Sequence, residues 1–340
     1  EEMLDRWLGR GEGAPTPPRA LNPRDGPVHA FLCRQIHIAT EDCGQLHPLD
    51  LDQYRAGGGL RALEDCLARR SPEEVIAAIE ASGLRGRGGA GFPTGRKWRL
   101  VREAPGPVRY VICNGDEGDP GAFMDRMLFE SYPYRVLEGM IIAAWAVGAQ
   151  EGILYIREEY PLAIRRVQAA IDRLRAAGVL GPRVLGSSVA LELRIAHGGG
   201  AFVCGEETAL IESIQGRRGA PVLRPPFPAQ RGFRGAPTLV NNCETLAMVP
   251  WILRHGPEAF AAIGDTDEAR RHASRAFVAM DDALAMLTPV ERARRRATLV
   301  VHGLAQHLRH HRDQALRKEA LGLLALLDGQ RVDDAVDGLG

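Results

Sequence analysis

The chain lacks an excess of either charge: Lys and Arg number 43, and so do Asp and Glu, for a formal net charge of zero. That balance argues against a general nucleic-acid or polyanion binder and leaves room only for local basic patches. It also lacks a long apolar run. The longest, GMIIAAWAVGA at 139–149, falls roughly twofold short of the ~20 residues of a membrane span. The opening, EEMLDRWLGRGEG, has no secretory-signal pattern. A cytoplasmic setting is therefore expected, with any membrane association made peripherally, through a partner. The first residue is not Met, which fits a fragment of a longer chain. Cysteine pairing is missing as well. Cys33, Cys43, Cys66, Cys113, Cys204 and Cys243 form no C-x-x-C pair, a poor pattern for zinc or an iron–sulfur cluster. They are expected as reduced thiols, mostly serving as small core residues.

What is present is an alternation of strands and helices between two atypical ends. Residues 1–28, with APTPPRALNPRDGP, read as a Pro-rich arm. Ser71-Pro72-Glu73-Glu74 carries a capping box with proline in the first turn, so a helix is expected there, stopping near Gly83. Val108–Cys113, Ile153–Ile156 and Ala190–Ile195 read as strands; 133–148 and 161–177 read as helices. This order implies an α/β core over 29–264 with a mixed or parallel sheet, whose ligands sit at the carboxyl ends of the strands. From 265 to 340 the pattern changes to amphipathic helices, one starting at Thr288-Pro289-Val290-Glu291. His302, His307, His310 and His311 cluster there, and a solvated polar face explains them better than a metal site.

Five segments carry chemistry. The first is GRGGAGFPTG at 86–95, with five glycines in ten positions. It cannot pack a core, but its backbone can lie against a ligand with N–H groups pointing outward, as an anion site requires. It is neither G-x-x-x-x-G-K-[ST] nor a G-x-G-x-x-G following a strand, which weakens a P-loop or ordinary Rossmann reading. Arg87, Arg96 and Lys97 add cations for phosphate, and Phe92 can stack on a flat ring. The second is an acidic elbow after the first strand, with Asn114, Asp116, Glu117 and Asp119. Carboxylates repel phosphate, so these should face sugar or ribityl hydroxyls; hard-cation binding is the competing use, without EF-hand spacing. The third is HGGGAFVCGEET at 197–208, where Glu206-Glu207 open a helix. The fourth, Arg224-Pro-Pro-Phe-Pro, is stiff and presents Phe227. In the fifth, Asn241-Asn242-Cys-Glu-Thr245, helix capping explains one Asn but not the whole set.

Taken together, GLRGRGGAGFPTGRKW, VICNGDEGDPGAFMDR, VLEGMIIAA, YIREEYP, FVCGEETALIESIQGRRG, RPPFPA and PTLVNNCETLA resemble the flavin-bearing, NADH-binding subunit of respiratory complex I. They also resemble its relatives in NAD(P)-linked hydrogenases and formate dehydrogenases. The resemblance covers roughly 35–260, and GDPGAFMDR is worded more like the soluble relatives. It implies a Rossmann-like domain with FMN held by the glycine loop (Gly86, Arg87, Gly88, Gly89), Asn114, Asp116, Asn241, Asn242 and Thr245. It implies NAD(H) or NADP(H) stacking on the flavin, assisted by Phe92, Phe227, Glu206 and Glu207, with Lys97, Glu117, Asp119, Phe202, Gly205 and Arg224 as further cofactor-binding candidates. Asp119 stands where complex I relatives often carry Glu near the nicotinamide, Phe202 where many carry Tyr, and Arg224 in place of a common Lys. The expected activity is NAD(P)H oxidation by hydride transfer to FMN, with no side chain acting as general acid or base. Electrons then pass to an iron–sulfur partner subunit or another acceptor.

One departure bears on that last step. The family continues into a region with a C-x-x-C-x-x-C run that ligates a cluster. No cysteine follows Cys243 here, so no cluster is expected in this chain. A non-catalytic nucleotide-binding or assembly subunit, or a truncated family member, is the competing reading.

Overall fold

The computed structural model describes residues 36–119 and 121–265. The Pro-rich arm, Cys33 and the helical segment expected after 265, with its histidines, lie outside the described residues.

Four strands form one parallel sheet: β1 (Tyr110–Gly115), β2 (Glu151–Arg157), β3 (Glu192–Gly198) and β4 (Thr238–Asn242). Their spatial order is β3-β2-β1-β4. The chain therefore leaves β1 in one direction, towards β2 and β3, and comes back on its other side as β4. Such a reversal opens a crevice beyond the carboxyl ends of the two central strands, where open α/β sheets bind ligands.

Side-chain alternation divides the sheet into two packed faces. Val111, Cys113, Leu154 and Ile156 face the larger core. That core is covered by α6 (Pro133–Val147), α7 (Pro161–Ala176) and α9 (Cys243–His255). Tyr110, Ile112, Ile153 and Tyr155 face a smaller cluster with Cys204, Leu210, Ile211 and Phe233. There α8 (Glu207–Ile214) makes the crossover from β3 to β4. Helices on both faces explain why the strands read as nearly continuous apolar runs.

Before the sheet come α1 (Leu51–Ala56), α2 (Arg61–Arg69), α3 (Pro72–Ala81) and α4 (Thr94–Glu103). The capping box expected at Ser71 forms, with the Glu74 backbone donating to Ser71 and the Glu74 side chain accepting from the Ser71 backbone. Gly83 follows at φ +69°. Between β1 and α6 lies α5 (Met124–Ser131), and α10 (Pro257–Asp265) ends the described chain. The central helix α6 is buried on nearly every side, and Gly139 lets α9 approach: a Cβ at 139 would collide with the Leu246 carbonyl oxygen.

All three expected strands have other bounds: β1 runs over Tyr110–Gly115 rather than Val108–Cys113, β2 over Glu151–Arg157 rather than Ile153–Ile156, and β3 over Glu192–Gly198 rather than Ala190–Ile195. Gly115 belongs to the strand because it pairs with Ile156 of β2, and an added Cβ there would run into the Phe129 ring. β4 was expected only as the opening of a helix. Pairing with β1, Tyr110 opposite Thr238 through Asn114 opposite Asn242, makes it a strand.

Candidate functional site

The glycine loop, the acidic elbow and the start of α9 meet at the reversal between β1 and β4. The loop is pinned at its base, where the Gly86 N–H donates to the Phe92 carbonyl at 2.9 Å and the Thr94 N–H to Leu84 at 2.9 Å. The Arg85 guanidinium donates to the Gly91 carbonyl at 2.9 Å. Gly89 (φ +103°) and Gly91 (φ +60°) hold left-handed conformations that disfavour other residues. The loop then meets α9. The Arg87 N–H donates to the buried Thr245 hydroxyl at 2.9 Å, and a Cβ at Gly88 would lie 3.5 Å from Asn242 Cβ. Gly95, the last glycine of the run, serves a different purpose: it sits in α4, where a Cβ would collide with Glu80 of α3 at 2.5 Å.

The two asparagines have separate tasks. Asn241 Oδ1 accepts from the fully buried Trp98 indole at 2.9 Å, which ties β4 to α4. Asn242 caps α9: its Oδ1 accepts from Glu244 N at 2.9 Å and Thr245 N at 3.4 Å. A cap of this kind contributes about 1 kcal/mol. Its Nδ2 donates to Asp125 Oδ2 at 2.7 Å. Burial, with Glu117 and Glu244 nearby, pushes the Asp125 carboxyl well above the ordinary carboxylate range. Burial and Glu117 also raise Glu244, against the pull of Arg87.

In the elbow, Asn114 Nδ2 donates to the Gly205 carbonyl at 2.9 Å, and its Oδ1 accepts from Asp116 N at 3.0 Å. The amide thus joins β1 to the turn before α8. Glu117 closes the start of α5, with Oε1 accepting from Asp125 N at 3.1 Å and Oε2 from Arg126 N at 3.2 Å. That use orders the elbow and competes with a direct role on a ligand. Asp119 Oδ1 accepts from Gly121 N at 3.3 Å. Asp116 differs from both. Its two carboxylate oxygens are buried, and no described residue donates to either. Burial raises this carboxyl to about 6, against the pull of Arg157 and with Glu159 adding to the rise.

A charged rim stands beside the crevice. Lys97 Nζ donates to Glu207 Oε2 at 3.1 Å and to the Val240 carbonyl at 3.2 Å. Arg224 Nη1 reaches Glu207 Oε1 at 3.1 Å, and its Nη2 lies 3.8 Å from Glu206 Oε1. Glu206 also caps α8, accepting from Thr208 N at 2.9 Å and Ala209 N at 3.0 Å. Exposed rings accompany these charges. Phe92 (39% exposed) lies 5.9 Å from the Arg96 guanidinium, and Phe227 (50%) lies 5.7 Å from that of Arg224. Phe202 is 74% exposed beside Gly118. Trp98, Asp125, Arg157 and Glu244 were missed as site residues. The Asp125 and Glu244 carboxyls stood beside the motifs in the sequence, but their burial depends on packing.

These residues suit a flavin nucleotide. The loop has glycine where Cβ atoms would narrow the crevice, and Arg87 Nε, buried and without a partner, joins Asp116 as a polar group lacking a described contact. Among the described residues no cluster of three His, Cys, Asp or Glu could hold a metal ion, and no helix is long and apolar enough to cross a membrane.

Fold and site together define a doubly wound α/β domain with a glycine-lined crevice at the carboxyl ends of its strands. Residues 79–251 match the Nuo51 FMN-binding domain, and the chain belongs to that family. It is 51% identical over 219 residues to the F subunit of NADH-quinone oxidoreductase from Aquifex aeolicus, covering 64% of this chain and 51% of that protein. It is 49% identical over 231 residues to HndC, a subunit of the NADP-reducing hydrogenase of Solidesulfovibrio fructosivorans, covering 68% and 47%. The chain thus spans about half the length of these curated relatives. A crystal structure of an NAD+-reducing [NiFe]-hydrogenase in the H2-reduced state shares the fold, with a TM-score of 0.57 and 41% identity over 66% of this chain and 36% of that one.

Proposed function

We propose that the chain binds FMN and a nicotinamide dinucleotide in the crevice between β1 and β4, and oxidises NAD(P)H for onward electron transfer. The observation that carries this reading is the convergence of loop, elbow and α9 at the β1/β4 reversal, with the Asp116 oxygens and Arg87 Nε left without described partners. The Nuo51 match supports it.

Bound flavin supplies a two-electron acceptor for hydride, and the protein supplies binding, orientation and electrostatics. The backbone of Gly86–Gly89 and the Arg87 and Lys97 side chains receive the flavin phosphate. Asp116, with Asn114 fixing the elbow, faces the sugar chain. Asn241, Asn242 and Thr245 hold the opposite wall through Trp98, Asp125 and Arg87 N. Phe92, Phe202 and Phe227 offer faces for the dinucleotide rings, while Glu206, Glu207 and Arg224 set the charge around it. Asp119 stands near the nicotinamide. Electrons leave to an iron–sulfur partner subunit or a small acceptor.

The test is reconstitution of the purified chain with FMN, followed by anaerobic addition of NADH and, separately, NADPH. Bound flavin that bleaches with either donor supports the reading. Failure to retain flavin overturns it, and flavin that binds without bleaching assigns the chain a scaffold role.

A further inference from the structure

Asp116 is the most isolated acid of the crevice. It follows the carboxyl end of β1, and its backbone is fixed because Asp116 N donates to Asn114 Oδ1 at 3.0 Å. Gly205 lies against it across the crevice: a Cβ there would sit 3.4 Å from the Asp116 carbonyl oxygen and 3.7 Å from Oδ2. Both carboxylate oxygens are shielded from solvent, yet no described group donates to them. An ionised carboxylate in that position loses water contacts and gains no replacement, which is costly.

The charged and titratable neighbours come from each element around it. β2 contributes Tyr155, whose hydroxyl burial pushes up to about 12, and Arg157. The turn after β2 contributes Glu159. Arg157 is committed in part elsewhere: Nη1 donates to the Glu117 carbonyl at 3.0 Å and Nη2 to Glu159 at 2.8 Å, while its buried Nε attracts Asp116 by charge but makes no hydrogen bond to it. On the facing turn, Cys204 packs with Tyr155, and the carboxylate of Glu206 is engaged by the start of α8. Glu117, next in the chain, is engaged by the start of α5. None of these supplies Asp116 with a hydrogen.

We propose that Asp116 is the proton-linked acceptor of the site: it receives a hydroxyl of the flavin nucleotide more strongly when ionised than when protonated, so that filling the crevice expels a proton from this carboxyl. The proposal rests on the flavin reading above and adds a thermodynamic linkage to it. The hydroxyl supplies the missing hydrogen bond, lowers the carboxyl's proton affinity, and makes flavin binding weaken as acid is added. With the carboxyl near 6 before binding, affinity is flat above neutrality and falls towards tenfold per pH unit below about 6, until the bound form also protonates.

The experiment is calorimetric titration of the full chain with FMN at pH 6, in two buffers of different ionisation enthalpy. Flavin fluorescence quenching gives Kd from pH 5 to 7.5. The FMN phosphate itself titrates near pH 6, so wild type is compared with Asp116→Asn, which keeps the phosphate contribution and removes the carboxyl. The expected result is about half a proton more released by wild type than by the variant. Its Kd should also rise about tenfold more than the variant's between pH 7.5 and 5. Equal proton counts and parallel Kd profiles overturn the proposal. If the variant does not fold, riboflavin binding to wild type serves, because riboflavin lacks the phosphate. Proton release at pH 6 then supports the linkage, and binding without it overturns the linkage. Absence of heat and quenching with FMN at every pH overturns the flavin reading itself, which parallel profiles do not.

Discussion

At the amino ends of the strands, charged side chains find partners within the protein. Arg109 donates to the carbonyls of Val101, Arg102 and Ala104. Arg175 pairs with Asp172 and Glu192 and donates to the Leu193 carbonyl. Arg194 pairs with Glu151. The three arginines line a depression of about 420 Å³, yet nothing in it asks for a ligand. At the carboxyl ends the pattern reverses: Asp116 and Arg87 Nε are buried without described partners, and Phe92, Phe202 and Phe227 are exposed. A depression of this size therefore does not by itself mark a ligand site in this domain. Unsatisfied polar groups beside exposed rings indicate it better, because protein interiors seldom leave such groups unpaired.

The largest effect that sharpens this contrast is expected at Asn242. Asn242→Ala removes the α9 cap and leaves Asp125 without its amide donor. The combined loss is about 3 kcal/mol, and chemical denaturation should show it together with lost FMN retention. Unchanged stability and retention would break the contrast at its centre. Phe227→Ala comes next. It should raise KM for the dinucleotide roughly tenfold, a loss of about 1.4 kcal/mol, with FMN Kd unchanged; an equal loss of FMN affinity would place that ring on the flavin instead.

Asp116→Asn tests the isolated carboxyl through stability. A folded-state value near 6, above the unfolded 3.8, means that the native chain binds the extra proton between those pH values. The carboxyl's contribution is most favourable below about pH 4 and is lost as pH rises through 6. The two oxygens are covered but the residue as a whole is only partly buried, so about 1 kcal/mol of the shift remains as a stability cost at neutral pH. The flavin-free variant should therefore melt roughly 2–4 °C higher than wild type at pH 7.5, with the gain gone below pH 4. A lower Tm at pH 7.5 would show that Asp116 is already satisfied. The smallest effect belongs to the amino ends: Arg194→Ala removes a partly exposed pair and should cost under about 1 kcal/mol, leaving FMN Kd unaltered.

Much of the site was legible because it rests on local chemistry. The glycine loop suggested a phosphorylated ligand through residue type and spacing, whereas the asparagine pair and the two glutamates gained cofactor roles only through the family resemblance. The capping box at Ser71 was equally plain. What escaped depended on partners far along the chain. Thr238–Asn242 has too few residues and too much Asn to read as a strand, and becomes one only opposite β1. Gly115 looks like a turn residue until it pairs with Ile156 of β2. Glu117 and Asp116 share one acidic elbow, yet the first is engaged by α5 and the second is left alone. That distinction comes from where α5, Gly205 and Arg157 fall in space, which their positions in the chain do not reveal.

The central claim is that the carboxyl end of the sheet receives electrons from a nicotinamide dinucleotide through FMN. Anaerobic titration of the FMN-reconstituted chain, followed by the visible flavin band, tests it most directly. Stoichiometric bleaching by NADH or NADPH is the predicted result; a chain that retains no FMN, or a flavin band unchanged by excess of either donor, would contradict it.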